Sequence, residues 1–196
     1  MRKRRRIIIT IEDLKVRRST SFQLNIPQLR FTPGTSVCVV GANGSGKTTF
    51  MESIVGLLQP SHGSVQICGY AAQLEQAEVR RFIGYIPDDE TWLIPELTAR
   101  EYFALVGSVQ MAHPNALIMR RRIEQLAEQL LFTSFDHLLG GLSHGNKKKV
   151  QIIAGLLHDP FFIVVDELRN GLDPIAIRRA EQLLQHKQMS GSAIIA

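Results

Sequence analysis

With 196 residues, of which 44% are hydrophobic, the chain is long enough to bury a core as one domain, or as one domain with a subdomain. Its formal net charge of +5 is concentrated at Met1–Arg6, Arg120–Arg122 and Lys147–Lys149; no zinc-finger spacing, aromatic stacking motif or long basic stripe accompanies these clusters, so nucleic acid is not an expected partner. No apolar run approaches the roughly 20 residues of a membrane span, the stretch after the basic start is too short for a signal peptide, and Cys38 and Cys68 each sit in an apolar run as expected of reduced, buried thiols, so the expected address is the cytoplasm.

Ile7 to Leu14, Phe22 to Ile26 and Gln28 to Phe31 carry the β-branched and apolar residues of short strands, cut by Pro27 and by Pro33-Gly34. Short strands at close spacing predict an antiparallel platform. Ser36 to Val40 is a further strand, and it runs into Gly41-Ala42-Asn43-Gly44-Ser45-Gly46-Lys47-Thr48. Two glycines four residues apart, followed by Lys and a hydroxyl residue, are the spacing of a phosphate loop. The glycines let successive N–H groups turn toward one anion, and a helix opening at Thr48, with Met51, Ile54, Val55 and Leu58 at helical spacing, adds its positive end. In such a loop Lys47 reaches the β- and γ-phosphates and the Thr48 hydroxyl sits on Mg²⁺.

Ser64 to Cys68 alternates polar and apolar as a half-buried strand does, and is expected to join the platform; Phe82 to Ile86 is another strand, closed by Pro87 and by Asp88-Asp89-Glu90. Thr98-Ala99-Arg100-Glu101 fits a capping box and opens a helix through Tyr102, Leu105, Val106 and Val109; Ile123, Leu126, Ala127 and Leu130 mark a second, with His113-Pro114-Asn115 between them. Ser143 is the expected N-cap of a third, bearing Val150, Ile153, Ala154 and Leu157 on one face. At its start, Lys147–Lys149 fits a solvated face and an anion-facing cluster equally well.

Phe161 to Val165 is continuously apolar, as a parallel strand covered on both faces is, and it ends in Asp166-Glu167. A carboxylate at the end of a buried strand, facing a phosphate loop, is where phosphoryl-transfer proteins hold their metal. Asp166 is therefore the candidate Mg²⁺ ligand, and Glu167 the candidate catalytic base that orients an attacking water. After Asn170-Gly171, a helix from Pro174 to Gln188 and the start of a strand at Ser192 to Ala196 are expected.

The runs GANGSGKTT at 41–49, GLLQPSHGSVQICG at 56–69, IGYIPDDE at 83–90, LSHGNKKKVQIIAGLLHDP at 142–160 and VVDELRNGLDP at 164–174 stand in the order and spacing of one family. The chain resembles the nucleotide-binding subunit of an ABC (ATP-binding cassette) transporter over essentially its whole length, and the 142–160 run discriminates it from other phosphate-loop proteins. The resemblance implies an α/β fold of the P-loop NTPase class, with a RecA-like parallel sheet core, an N-terminal antiparallel β platform and a helical subdomain inserted at about 89–157 of a single 1–196 domain. It further implies ATP and Mg²⁺ held by Gly41, Ala42, Asn43, Gly44, Ser45, Gly46, Lys47, Thr48 and Thr49, with Lys47 and Glu167 catalytic and with Thr48, Asp166 and Asp88 around the metal. By the same resemblance, the Ser143 and Gly145 N–H groups act in trans on ATP held by a second ATPase subunit, identical or related, in a head-to-tail dimer that powers a transmembrane permease from the inner membrane face. Asp173 resembles the residue that communicates between those subunits.

Several positions depart from the family pattern. His144 stands for a glycine and Asn146 for a glutamine, and Asp88 stands where a glutamine is usual. Leu168-Arg169 replaces Pro-Thr, and no aromatic occurs at Val16-Arg17-Arg18 to stack on adenine, leaving the Arg18 guanidinium for that role. The family also places a His just after the strand that begins at Ala193. This sequence stops before it and is read as C-terminally truncated, which sets the hydrolysing subunit against a nucleotide-binding, poorly hydrolysing regulatory or vestigial cassette.

Overall fold

The computed structural model describes residues 7–19, 22–111 and 115–196. The basic run at 1–6, and His113 and Pro114 of the predicted helix break, lie outside the described residues. Strands β1 (Ile9–Arg17), β2 (Gln23–Phe31), β4 (His62–Ile67) and β5 (Tyr70–Ala71) form an antiparallel sheet in the order β2-β1-β4-β5. A parallel sheet joins β3 (Ser36–Val37), β6 (Ile83–Ile86), β7 (Phe162–Val165) and β8 (Ala193–Ile195) in the order β3-β8-β7-β6.

In β1 the residues that turn inward are Ile9, Ile11, Leu14 and Val16, a phase change that strict alternation does not allow. The register against β4 shifts between Glu12 and Lys15, and Asp13 takes a positive φ of 46°, so a bulge returns the second half of the strand to the core. The two predicted strands around Pro27 are one strand. β2 lies at the sheet edge, and its pairing with β1 runs from Glu12↔Gln28 to Leu14↔Ile26, so no rung depends on an N–H from Pro27. The predicted strand Ser36 to Val40 is shorter than expected, ending at Val37. Because β3 is itself an edge, Cys38 is exposed, against the expectation of a buried thiol, whereas Cys68 is buried as expected.

Helices α1 (Lys47–Ile54), α2 (Gln76–Val79), α3 (Ala99–Gln110), α4 (Ala116–Gln129), α5 (His144–Leu156) and α6 (Pro174–Met189) complete the chain. The parallel sheet divides two cores. Phe162 and Val164 of β7 face Phe50, Met51 and Ile54 of α1 and the inner side chains of the platform, while Ile163 and Val165 face α5, α6 and α3. The capping box forms as predicted, with Thr98 accepting from the Glu101 N–H and Glu101 accepting from the Thr98 N–H. Beyond it, Phe103, Phe132 and Phe135 pack edge to face, joining α3 to the segment after α4.

Candidate functional site

The loop from Gly41 to Gly46 leaves the edge strand β3 and enters α1 with Gly44 at φ 78° and Gly46 at φ 101°, a backbone course that side chains resist. The Lys47 ammonium is folded into the concavity, donating to the carbonyls of Gly41 at 2.9 Å and Ala42 at 3.2 Å. A cavity of about 290 Å³ opens here, lined by Asn43, Gly44, Gly46, Lys47, Thr48 and Thr49, with Glu167, Arg18 and Phe22 around it. Of the sequence-predicted residues, the structure thus brings Glu167 to the same cavity as the loop. The backbone N–H groups at the start of α1 and the ammonium make it an anion cradle.

Phe22 brings an aromatic ring to the wall of this cavity. Its ring covers Gly46 closely enough that a methyl group there would strike it. Arg18, the residue expected to stack on adenine, lines the same cavity and is ion-paired to Glu52 of α1.

Asp166 follows β7 and is 2% exposed; its N–H closes a rung on the Ile86 carbonyl at 2.8 Å, and its Oδ2 is buried with no hydrogen-bond partner. A buried carboxylate oxygen with no hydrogen-bond partner fits a cation ligand. Among the described residues no group of three His, Cys, Asp or Glu side chains could hold a metal alone. Glu167, next in the chain, is exposed, adopts φ 46°, a strained conformation for a residue with a side chain, and lines the cradle cavity. Asp88 Oδ1 accepts from the Asn170 amide at 2.7 Å, tying the acidic loop after β6 to the turn after Glu167. In that turn Arg169 pairs with Glu181 of α6 at 2.7 Å and Leu168 packs on the core, so the residues that replace Pro-Thr anchor the turn by other means.

Ser143 is the N-cap of α5, accepting from the Asn146 N–H at 3.3 Å, and Gly145 lies against the Gly171 carbonyl. Neither residue lines the cradle cavity. One chain therefore carries a phosphate cradle and, apart from it, a capped helix start. His144 Nδ1 lies 2.6 Å from Glu90 Oε1, and Lys147 pairs with Glu90 at 2.8 Å; these two contacts hold the Glu90 carboxyl below its usual range. The anion-facing reading of Lys147–Lys149 is corrected. At about 100° per residue the helix sends the three ammonium groups apart: Lys147 to Glu90, Lys148 to the carbonyls of Pro87 and Asp166, and Lys149 to the Leu131 carbonyl. Burial pushes the Lys148 ammonium below the usual lysine range, against the pull of the surrounding acids. Asp173 caps α6 by accepting from the N–H groups of Ile175 and Ala176, both at 2.9 Å.

The model of the ABC transporter family matches residues 24–170. The ABC transporter ATP-binding protein NatA of Bacillus subtilis is 31% identical over 168 residues, covering 85% of this chain and 68% of NatA. The Nod factor export ATP-binding protein I of Burkholderia pseudomallei is 29% identical over 83% of this chain and 53% of its own length, so the chain spans between half and about two thirds of these curated relatives. Among solved structures, an ATP-binding subunit of an ABC transporter superposes with a TM-score of 0.86 at 27% identity, over 96% of this chain and 78% of that one. A dimeric ATP-binding cassette, solved in a post-hydrolysis state with ADP and Pi, has the same fold, with a TM-score of 0.80 at 22% identity over 95% of this chain and 86% of that one.

Proposed function

The chain belongs to the ABC transporter family as an ATP-binding subunit, and from that premise we propose that it hydrolyses ATP in a head-to-tail dimer, homo- or heteromeric, and so powers a transmembrane permease on the inner membrane face. The observation that carries this reading is the cavity lined jointly by the loop residues Asn43, Gly44 and Gly46 to Thr49 and by Glu167.

The triphosphate would lie over Gly41 to Thr48, where the Lys47 ammonium exchanges the Gly41 and Ala42 carbonyls for phosphate oxygens. The Thr48 hydroxyl and Asp166 Oδ2 would hold Mg²⁺, with Asp88 reaching it directly or through water; when bound, the ion neutralises charge that develops on the phosphate oxygens. Glu167 accepts a proton from the water that attacks the γ-phosphorus, and Phe22 offers a ring face to the adenine. The N–H groups at Ser143 and Gly145 would serve ATP in the partner subunit. A second cavity, of about 390 Å³, lies between β6, the end of α1 and α3, with Trp92, Ile94, Leu105 and Val109 exposed along it. This apolar groove, next to the acidic loop, suits a short segment of the permease. Among the described residues no helix is long and apolar enough to cross a membrane.

The test is turnover and binding of Mg²⁺-ATP by the full chain and two variants. Lys47→Ala is expected to lose both; Glu167→Gln is expected to bind ATP as before while hydrolysis falls by about a hundredfold or more. Equal hydrolysis by Glu167→Gln and the unmodified chain would remove Glu167 from the reaction.

A further inference from the structure

We propose that Lys148 is a positioning residue for the metal end of the site: its ammonium supplies the last rung between β6 and β7, and so sets where Asp88 and Asp166 stand. The inference rests on the nucleotide-site reading above. The parallel ladder between the two strands advances by alternate rungs, from Phe162 N–H to the Phe82 carbonyl at 3.0 Å up to Asp166 N–H on the Ile86 carbonyl at 2.8 Å. In that alternation the next rung would run from the Asp88 N–H to the Asp166 carbonyl. The Asp166 carbonyl instead accepts from Lys148 Nζ at 3.2 Å, and the same ammonium binds the Pro87 carbonyl at 2.7 Å. Proline at 87 and the acids at 88 and 166 are where the strands must part to open a site, and a side chain from α5 bridges the parting.

The burial of that side chain needs a reason. Lys148 is 1% exposed, and enclosing an ammonium ion is costly unless partners replace its water. Two backbone carbonyls do so, and the carboxylates of Asp88, Asp166, Glu167 and Asp89 act on it from nearby. Its neighbours on α5 grip the same loop. Lys147 pairs with Glu90, and the Gln151 amide donates to the Asp89 carbonyl. With Lys148 on Pro87, three successive grips run along 87–90, and only Lys148 also reaches the β7 side. Groups that orient a metal-binding carboxylate from behind it are typically worth ten- to a hundredfold in metal affinity or activity.

The experiment titrates ATP into the full chain by calorimetry, in EDTA and in Mg²⁺, and follows turnover, for the unmodified protein, Lys148→Met and Lys148→Gln. Met keeps the length and removes the donors; Gln keeps an N–H donor and removes the charge. Lys148→Met is expected to bind ATP in EDTA as the unmodified chain does, which also shows that it is folded. It should lose about tenfold or more of the Mg²⁺-dependent gain in affinity, with KM for Mg²⁺-ATP rising in step and kcat falling. Lys148→Gln should keep the gain and kcat to within about threefold. A Lys148→Met chain that retains the Mg²⁺-dependent gain, or a Lys148→Gln chain that loses it, overturns the assignment. An unmodified chain with no Mg²⁺-dependent gain overturns the site reading itself, and this inference with it.

Discussion

His158 shows what one buried nitrogen does to the pH response. Its Nε2–H donates to the Ile83 carbonyl at 3.2 Å, while Nδ1 is buried without a hydrogen-bond partner. Burial takes the imidazole from 6.5 down to about 4, with Arg122 and Lys187 adding to the effect and Asp159 opposing it. The unfolded chain thus binds this proton more readily than the folded one. Stabilisation from the neutral ring is complete above 6.5 and is lost as pH falls toward about 4, an interval corresponding to about 3 kcal/mol. Urea unfolding of the full chain at pH 7 and pH 5 should show about 2 kcal/mol of that loss, and His158→Gln should flatten the difference between the two. At the same scale, the placement of the phosphate loop before α1 and of Asp166-Glu167 after β7 was legible because spacing and the flanking apolar runs carry it. Phe22 and Lys148 were not. Phe22 enters the site only through the β1–β2 hairpin, whose Arg17↔Gln23 pairing sets it beside Arg18, and Lys148 through a helix angle that separates it from the lysines on either side.

At the scale of elements, α5 reaches the strand ends because it crosses β6 at very short range. Gly84 of β6 and Gly155 of α5 face each other there: a methyl group on Gly84 would strike the Gly155 carbonyl, and one on Gly155 would lie 2.9 Å from the Tyr85 carbonyl. The cost of such overpacking is about 1 to 3 kcal/mol. Gly84→Ala should lower the free energy of urea unfolding by that amount and weaken Mg²⁺-ATP binding along with it, since α5 would be lifted away from Pro87 and Asp166. Helix positions were readable from apolar periodicity and from the capping box at Thr98. Strand lengths were less so. Pro27 reads as a break until the edge position of β2 is known, and the apolar residues at 38–40 read as buried strand until β3 is seen at the edge of its sheet. Edges are properties of the assembled sheet, with no local signature in the chain.

For the whole molecule, the separation of the cradle from Ser143 and Gly145 means that each complete site draws on two chains under the proposed arrangement. Lys47→Ala destroys a cradle, and Ser143→Arg destroys a helix start. Each variant alone should be inactive. An equimolar mixture should recover about one quarter of the unmodified turnover, since half of the dimers are mixed and each of those assembles one intact site from two. No recovery at concentrations where the unmodified chain is dimeric would refute the shared site. The apolar groove next to the acidic loop has its own consequence. Trp92 is the sole tryptophan of the chain, 46% exposed on the groove wall, with its carbonyl fixed by the Tyr102 hydroxyl at 3.2 Å. Ultraviolet emission excited at the red edge of protein absorbance therefore comes from that wall alone. Covering the groove dries the indole and moves its light to shorter wavelength, so the molecule signals the occupation of this face with no label attached.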